Sequence, residues 1–389
     1  VTSPGAKDSI LPLAWARSLR IPVVDEIEIG FRYCPAKIVA VTGTNGKSTT
    51  TTLIGDILKA GDIDAVVCGN IGYSFCEKVL GLTAASVVVL EVSSFQLQRT
   101  VMFRPQVALF LNLTRNHLDR HADLDEYLQA KMKIFANQKR SDWAILNNED
   151  KVVSLARKKI AAKVIAFGRS AAINGAFCKD RAIYLHSGDE LKRFISADEL
   201  ALPGDHNIDN AMAALLVGQI FGLKPETIRR ALKHFKGLEH RFEAVDEIRG
   251  VRFINDSKAT TVDAALKAIN SVTTPVILIA GGRDKGSDFT PLRAQLSQKL
   301  RAVILIGEAK EKIRTQLMGA LELHDASSLD HAVALGLEIA RKGETVLLSP
   351  MCASFDMFRN FEERGEYFKK AVHSLKKTVA ATADAAGAV

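Results

Sequence analysis

Cysteine is scarce in this chain and follows no pattern. Its five residues, Cys34, Cys68, Cys76, Cys178 and Cys352, are odd in number, scattered, and never spaced as Cys-x-x-Cys. A disulfide scaffold and a zinc ribbon are thereby excluded, and free thiols in a reducing cytoplasm are expected. Aromatic residues make up only 6% of the chain, and no basic stripe interleaves with them. The net charge of +8 therefore does not support nucleic-acid binding, which needs stacking platforms along a basic groove; a positive surface suits phosphorylated small molecules equally well. No apolar run approaches the roughly 20 residues that a membrane span requires, so no membrane partner is expected. The first residues, Val1-Thr2-Ser3-Pro4-Gly5, lack an initiator Met, a basic leader and an apolar signal core. They read as the end of a strand entering a turn with nothing before it to pair, so a processed or missing start is expected.

What is present is enough apolar material for more than one core. With 389 residues, 47% hydrophobic and 25% charged, the chain is expected to hold at least two globular units. Short β-branched runs at Ile38 to Thr42, Ser86 to Val92, Val107 to Leu113, Trp143 to Leu146, Val164 to Phe167, Val276 to Ala280, Ala302 to Ile306 and Val346 to Leu348 read as strands. Between them, Ser48 to Lys59, Leu124 to Ala136, Ile208 to Phe221 and Asp330 to Arg341 carry helical spacing. The alternation argues for an α/β fold with parallel sheets flanked by helices. An interior boundary is expected at Lys236-Gly237-Leu238, before a strand-turn-strand pattern over Phe242 to Ile254. The Ala-rich, nearly uncharged stretch Val379 to Val389 is expected to fray as a disordered tail.

Ile38-Val39-Ala40-Val41-Thr42 runs directly into Gly43-Thr44-Asn45-Gly46-Lys47-Ser48-Thr49 and then a helix. Such a strand, glycine turn and helix N-terminus aim backbone N–H groups and the positive end of the helix dipole at phosphate oxygens. Lys47 would add a charge for the outer phosphates, and the hydroxyl of Ser48 or Thr49 could ligate Mg²⁺. The strict G-x-x-x-x-G-K-[ST] pattern is broken, because Val41 stands at its first glycine. The context on both sides nevertheless predicts binding of a nucleoside triphosphate.

A buried run, Val87-Val88-Val89-Leu90, ends in Glu91, the place where a phosphate-loop fold keeps its acidic Mg²⁺ partner. Leu111-Asn112-Leu113-Thr114 leads into Arg115-Asn116-His117-Leu118-Asp119-Arg120-His121, another strand entering a titratable turn at a sheet edge. His117 and His121 imitate a zinc pair, yet no third ligand of that type follows; service to a second Mg²⁺ or a substrate oxygen is the other reading of His117. Lys131 lies in an amphipathic helical pattern and, on its residues alone, reads as a solvated lysine.

Taken with Gly69-Asn70-Ile71-Gly72, Glu91-Val92-Ser93-Ser94-Phe95-Gln96-Leu97, Leu202-Pro203-Gly204-Asp205-His206-Asn207, His240-Arg241-Phe242-Glu243, Asn255-Asp256-Ser257-Lys258-Ala259-Thr260 and Leu347-Leu348-Ser349-Pro350-Met351-Cys352-Ala353-Ser354-Phe355-Asp356, these motifs resemble the Mur ligase family, in its order and over nearly the whole chain. The resemblance implies a remnant of an N-terminal UDP-binding domain and linker at 1–33, a central P-loop ATPase domain with a mostly parallel sheet at 34–237, and a Rossmann-like α/β C-terminal domain at 238–378 that binds the amino acid. The tail would be 379–389.

It also implies roles. Gly43, Thr44, Asn45, Gly46, Lys47, Ser48, Thr49, Asn207, Asn210, Arg241, Asp256 and Lys258 would bind ATP. Asn70, Ser93, Thr260, Lys285, Ser354, Phe355 and Phe361 would bind substrate, Lys285 holding a carboxylate of the amino acid. Ser48, Glu91, His117 and Lys131 would serve two Mg²⁺ ions, Lys131 after carbamylation by CO₂, and Lys47, His117 and Lys131 would act in catalysis.

The implied reaction is ATP-dependent joining of D-glutamate to UDP-N-acetylmuramoyl-L-alanine through an acyl phosphate, by a cytoplasmic monomer serving peptidoglycan synthesis. The Asp-Asn-Pro-Arg signature of diaminopimelate-adding members is absent, and the chain has no Asn-Pro dipeptide. Two other readings stay open: another amide ligase of the superfamily, such as a folylpolyglutamate synthase-like enzyme, and a nucleotide-binding switch that makes no bond.

Overall fold

A computed structural model of the chain describes residues 1–2, 10–114, 123–171, 173–188, 190–202, 204–235, 237–284, 286–295 and 299–386. The chain divides into two compact units, Val1–Gly237 and Leu238–Val389.

The first unit is built on a nine-stranded sheet. In chain order its strands are β1 (Lys37–Thr42), β2 (Ala65–Gly69), β3 (Val87–Glu91), β4 (Val107–Phe110), β5 (Trp143–Asn147), β6 (Lys163–Gly168), β7 (Gly175–Lys179), β8 (Ala182–Ser187) and β9 (Glu190–Ser196). They lie in the order β2-β3-β1-β4-β5-β6-β7-β8-β9, parallel from β2 to β7 and antiparallel where β8 and β9 join. Strand β1 is paired on both sides, which is why its sequence is a continuous apolar run instead of an alternation. Its residues divide by period two: Val39 and Val41 pack with the helices Lys47–Ala60 and Asp205–Ile220, whereas Ile38 and Ala40 face a second core with Ile27, Phe75, Phe103 and Phe110. At roughly 25 cal/mol per Å² of buried apolar surface, these two cores fix the sheet so that β1, β3 and β4 end side by side. The short helix Glu26–Tyr33 belongs to the same unit, with Ile27 fully buried.

The second unit carries a six-stranded sheet of β10 (Glu243–Ile248), β11 (Val251–Asn255), β12 (Val276–Gly281), β13 (Leu300–Ile306), β14 (Glu322–Asp325) and β15 (Thr345–Met351). Its order is β10-β11-β15-β12-β13-β14. All neighbours are parallel except the β10–β11 hairpin. Cores lie on both faces, Leu278 and Leu347 on one, Ile277, Ile279 and Val346 on the other.

All eight strands expected from the sequence are present, and the expected helices start or end within a few residues of their anticipated limits. The β7–β9 meander, β2 and β14 were not anticipated; β9 opens on Glu190-Leu191-Lys192-Arg193 and lacks a continuous apolar run. The terminal helix corrects one expectation, since it runs over Phe361–Ala386 and so continues into the stretch expected to fray. Alanine is the best helix former, and a helix already nucleated by the buried Phe368 and Val372 propagates through it cheaply.

Candidate functional site

In the first unit, three strand ends form the site. After Thr42, Gly43 turns the chain, and a Cβ there would stand 3.0 Å from that of Leu111 at the end of β4. Gly46 takes φ +80°, and a side chain on it would meet Asn210 Oδ1 at 2.5 Å, so only glycine fits. The helix Lys47–Ala60 then begins with no side-chain cap. The N–H groups of its first turn are those that an α-helix leaves without internal partners. Lys47 folds over the loop, its Nζ donating to the carbonyls of Gly43 and Thr44 at 3.0 Å each. Ser48 is buried at the head of the helix.

Asn210, from the helix Asp205–Ile220, closes the far side of the loop. Its Oδ1 accepts from Thr50 Oγ1 at 3.1 Å, and its Nδ2 donates to Asn207 Oδ1 at 3.2 Å. Thr49, Asn207 and Asn210 also line a small hollow with Leu200, Leu202 and Phe235.

Glu91 ends β3, level with Val41 in the neighbouring strand. The carboxylate is buried; Oε1 accepts from Asn70 Nδ2 at 2.8 Å, and Oε2 has no partner. A buried carboxylate oxygen without a donor is costly. That vacancy in its bonding fits a cation, and the hard oxygen donors Glu91 and Ser48 suit Mg²⁺.

Lys131, by contrast with the solvated lysine its helical pattern suggested, is 1% exposed. Its Nζ donates to Gly43 O at 2.8 Å and Thr42 Oγ1 at 3.3 Å, and lies 4.6 Å from the Tyr127 ring centre. Burial, with the Lys47 charge adding to it, pushes this amine well below the ordinary lysine range, against a smaller opposing pull from Glu91.

Ser93 serves as the N-cap of the helix Ser94–Gln98 in a reciprocal capping box with Gln96. Its hydroxyl is thus engaged in local structure two residues beyond Glu91. His117 lies outside the described residues.

The second unit assembles its own set at the C-terminal ends of β11 and β15. Asp256 follows β11 and is buried; Oδ1 accepts the Phe242 N–H at 3.1 Å and Oδ2 the Ser349 hydroxyl at 2.9 Å. Burial raises its carboxyl to about 6, opposed by those hydrogen bonds and by Arg241. His240 and Phe242, flanking the exposed Arg241, have left-handed φ of 61° and 48°, an uncommon conformation outside glycine and a local strain. Lys258 Nζ lies 5.4 Å from the Phe361 ring centre, the range of a cation–π contact. Thr260 follows in the same turn, Ser354 is buried and Phe355 is exposed. Lys285 lies outside the described residues.

Three groups in these sites went unsingled by sequence reasoning. Asn112 binds the phosphate loop, Asn255 ties β11 to Glu243 and Gly365, and Arg364 is a buried cation beneath the second unit's loops. Only Asn112 and Asn255 lay in motifs already noted; Arg364 carried no local signal.

Residues 41–218 match the Mur ligase middle domain, and residues 240–352 match the Mur ligase glutamate ligase domain. Across 382 residues the chain is 42% identical to a UDP-N-acetylmuramoylalanine–D-glutamate ligase of Thermoanaerobacter pseudethanolicus, covering 97% of this chain and 84% of the relative. Similarity to the enzyme of the same name from Geotalea daltonii is 43% over 377 residues, with coverage of 96% and 83%. Among solved structures, MurF from Acinetobacter baumannii superposes with TM-score 0.66 at 16% identity, over 89% of this chain and 79% of that one. A pseudomurein peptide ligase from Methanothermus fervidus gives 0.62 at 16% identity, over 96% and 86%. The fold is therefore shared widely at low identity, while the sequence likeness is high and nearly full length: the chain belongs to the Mur ligase family.

Proposed function

We infer that this protein is an ATP-dependent ligase that adds D-glutamate to UDP-N-acetylmuramoyl-L-alanine, acting as a monomer in the cytoplasm. The observation that carries the reading is the 42% identity, over 97% of the chain, to ligases of that name. The chemistry agrees with it: a phosphate loop with its lysine stands beside a buried carboxylate oxygen that lacks a partner.

A carboxylate is a poor electrophile, so activation has to come first. An oxygen of the L-alanyl carboxylate attacks the γ-phosphorus of ATP, the bond to the β-phosphate oxygen breaks, and ADP leaves. The amine of D-glutamate then attacks the acyl carbon and loses a proton; the carbon–oxygen bond breaks and phosphate departs.

In this reading the N–H groups of Gly46 and the first turn of the helix Lys47–Ala60, with the Lys47 ammonium, would stabilise charge on the phosphoryl oxygens. Ser48, Glu91, His117 and Lys131 would hold two Mg²⁺ ions, which when bound neutralise phosphate charge. Lys131 suits this after carbamylation. Burial pushes its amine well below the ordinary lysine range, and in its neutral form Nζ can form a bond to the carbon of CO₂, release a proton and become an anion. Asn70, which is bonded to the same Glu91, would meet the muramoyl substrate, as would Ser93. Asn207 and Asn210 would face the nucleotide. In the second unit Arg241, Asp256 and Lys258 would contact ATP, while Thr260, Lys285, Ser354, Phe355 and Phe361 would receive D-glutamate.

ADP release with UDP-N-acetylmuramoyl-L-alanine and a panel of amino acids tests the assignment. D-Glutamate alone should stimulate it; stimulation by L-glutamate or meso-diaminopimelate in its place would overturn it.

A further inference from the structure

The phosphate loop lacks the first glycine of the usual pattern, so something else must set its shape. We propose that Asn112 is the positioning residue of this loop, its carboxamide fixing the front half so that phosphate is met by the back half. The proposal rests on the reading that the loop binds ATP.

Asn112 stands just beyond β4, and its side chain makes a two-sided clamp. Oδ1 accepts the Asn45 N–H at 2.8 Å and the Thr44 N–H at 3.1 Å, while Nδ2 donates to the Asn45 carbonyl at 3.1 Å. A carboxamide in this orientation supplies an acceptor and a donor together, from two separate atoms. The Thr44 N–H also reaches the Asn112 carbonyl at 2.9 Å, and Thr44 Oγ1 accepts the Thr114 N–H at 3.0 Å.

The clamp has a firm base. Leu111 N–H donates to Thr42 O at 3.0 Å, Asn147 Nδ2 donates to Leu111 O at 2.9 Å, and Leu113 N–H donates to Asp150 Oδ2 at 2.6 Å. Asn112 is therefore held from β1 on one side and from the end of β5 on the other. A group supported in this way keeps its geometry when the ligand changes, which is the requirement for preorganised binding.

Two consequences follow from the chemistry. The N–H groups of Thr44 and Asn45 are already committed, leaving phosphate to Gly46 and the first turn of the helix Lys47–Ala60. A neutral anchor also adds no negative charge beside a polyanion, whereas aspartate, of the same shape, would lose the Nδ2 donor and repel phosphate.

The test compares wild type, Asn112→Ala and Asn112→Asp in the full chain, using a fluorescent ATP analogue and steady-state kinetics. Losing these bonds should weaken analogue binding about tenfold or more in the alanine variant, and further in the aspartate variant. The KM for ATP should rise in parallel while the KM for D-glutamate and the melting temperature stay near wild type. Equal analogue affinity for wild type and Asn112→Ala would overturn the proposal, as would a parallel rise in both KM values. Amide exchange of Thr44 and Asn45 in the wild-type protein does not depend on any variant folding. Protection with and without nucleotide is expected, and exchange at exposed-loop rates would refute the clamp. A wild type that shows this protection but fails to bind the analogue would instead defeat the ATP reading.

Discussion

The two units hold their sheet-edge loops by opposite means. In the first, glycines and a neutral carboxamide shape the loop, Lys47 folds over it, and one oxygen of the buried Glu91 is without a partner. In the second, a buried cation does the holding. The Arg364 guanidinium donates to Ser257 Oγ and Ser257 O at 3.0 and 2.8 Å and to Cys352 O at 3.2 Å, joining the loops after β11 and β15. A Cβ on Gly282, after β12, would come within 3.2 Å of the same guanidinium. Burial lowers Arg364 to about 10, a sign of how much its desolvation costs.

The difference teaches where charge can be placed. In the first unit a neutral anchor leaves the local field to Lys47. Beneath the second unit's loops, a planar fork reaches two carbonyls at once.

The largest expected effect separates ligand-facing charge from anchoring. Lys47→Ala should lower kcat/KM by about a thousandfold, as loss of a principal charge stabiliser does, with the melting temperature unchanged. A drop in both would mean that Lys47 also anchors the loop. Next, Arg364→Met strands the carbonyls of Ser257 and Cys352, at about 1–3 kcal/mol each. Denaturant unfolding should register that loss in the second unit, and an unchanged midpoint would show that the buried cation stabilises nothing.

A smaller effect concerns pH. Asp256 has a folded pKa of about 6, above its unfolded value. The stabilisation from its protonated form is therefore complete below the unfolded pKa and disappears as pH rises through about 6. Asp256→Asn should consequently unfold at higher temperature than wild type at pH 7.5 and lose that advantage at pH 4, by up to about 3 kcal/mol. Asp25, in the first unit, is raised to about 6 by burial, with one carboxylate oxygen unpartnered. Asp25→Asn should show the same sign of effect without altering ATP affinity, and melting curves at the two pH values would check both.

Legibility in the sequence followed the range of the interactions. The phosphate loop was readable because strand, turn and helix start lie within a dozen or so consecutive residues, and the buried strands because apolar runs report pairing on both sides. Lys131 was misleading by its residues alone, since the helix Leu124–Met132 places it against β1 only through tertiary packing. Arg364 could not be found locally at all: the serine it holds is 107 positions away. Asn112 was visible as part of a motif, yet its partners are 67 and 68 positions distant, so its task emerged only when β4 was seen beside β1.

The central claim is that the protein activates a carboxylate by phosphorylation and then passes it to D-glutamate. Labelling both oxygens of the L-alanyl carboxylate with ¹⁸O and analysing the released phosphate tests this most directly. One labelled oxygen in phosphate, appearing only when D-glutamate is present and in step with amide formation, is the predicted result. Unlabelled phosphate, released whether or not D-glutamate is added, would contradict it.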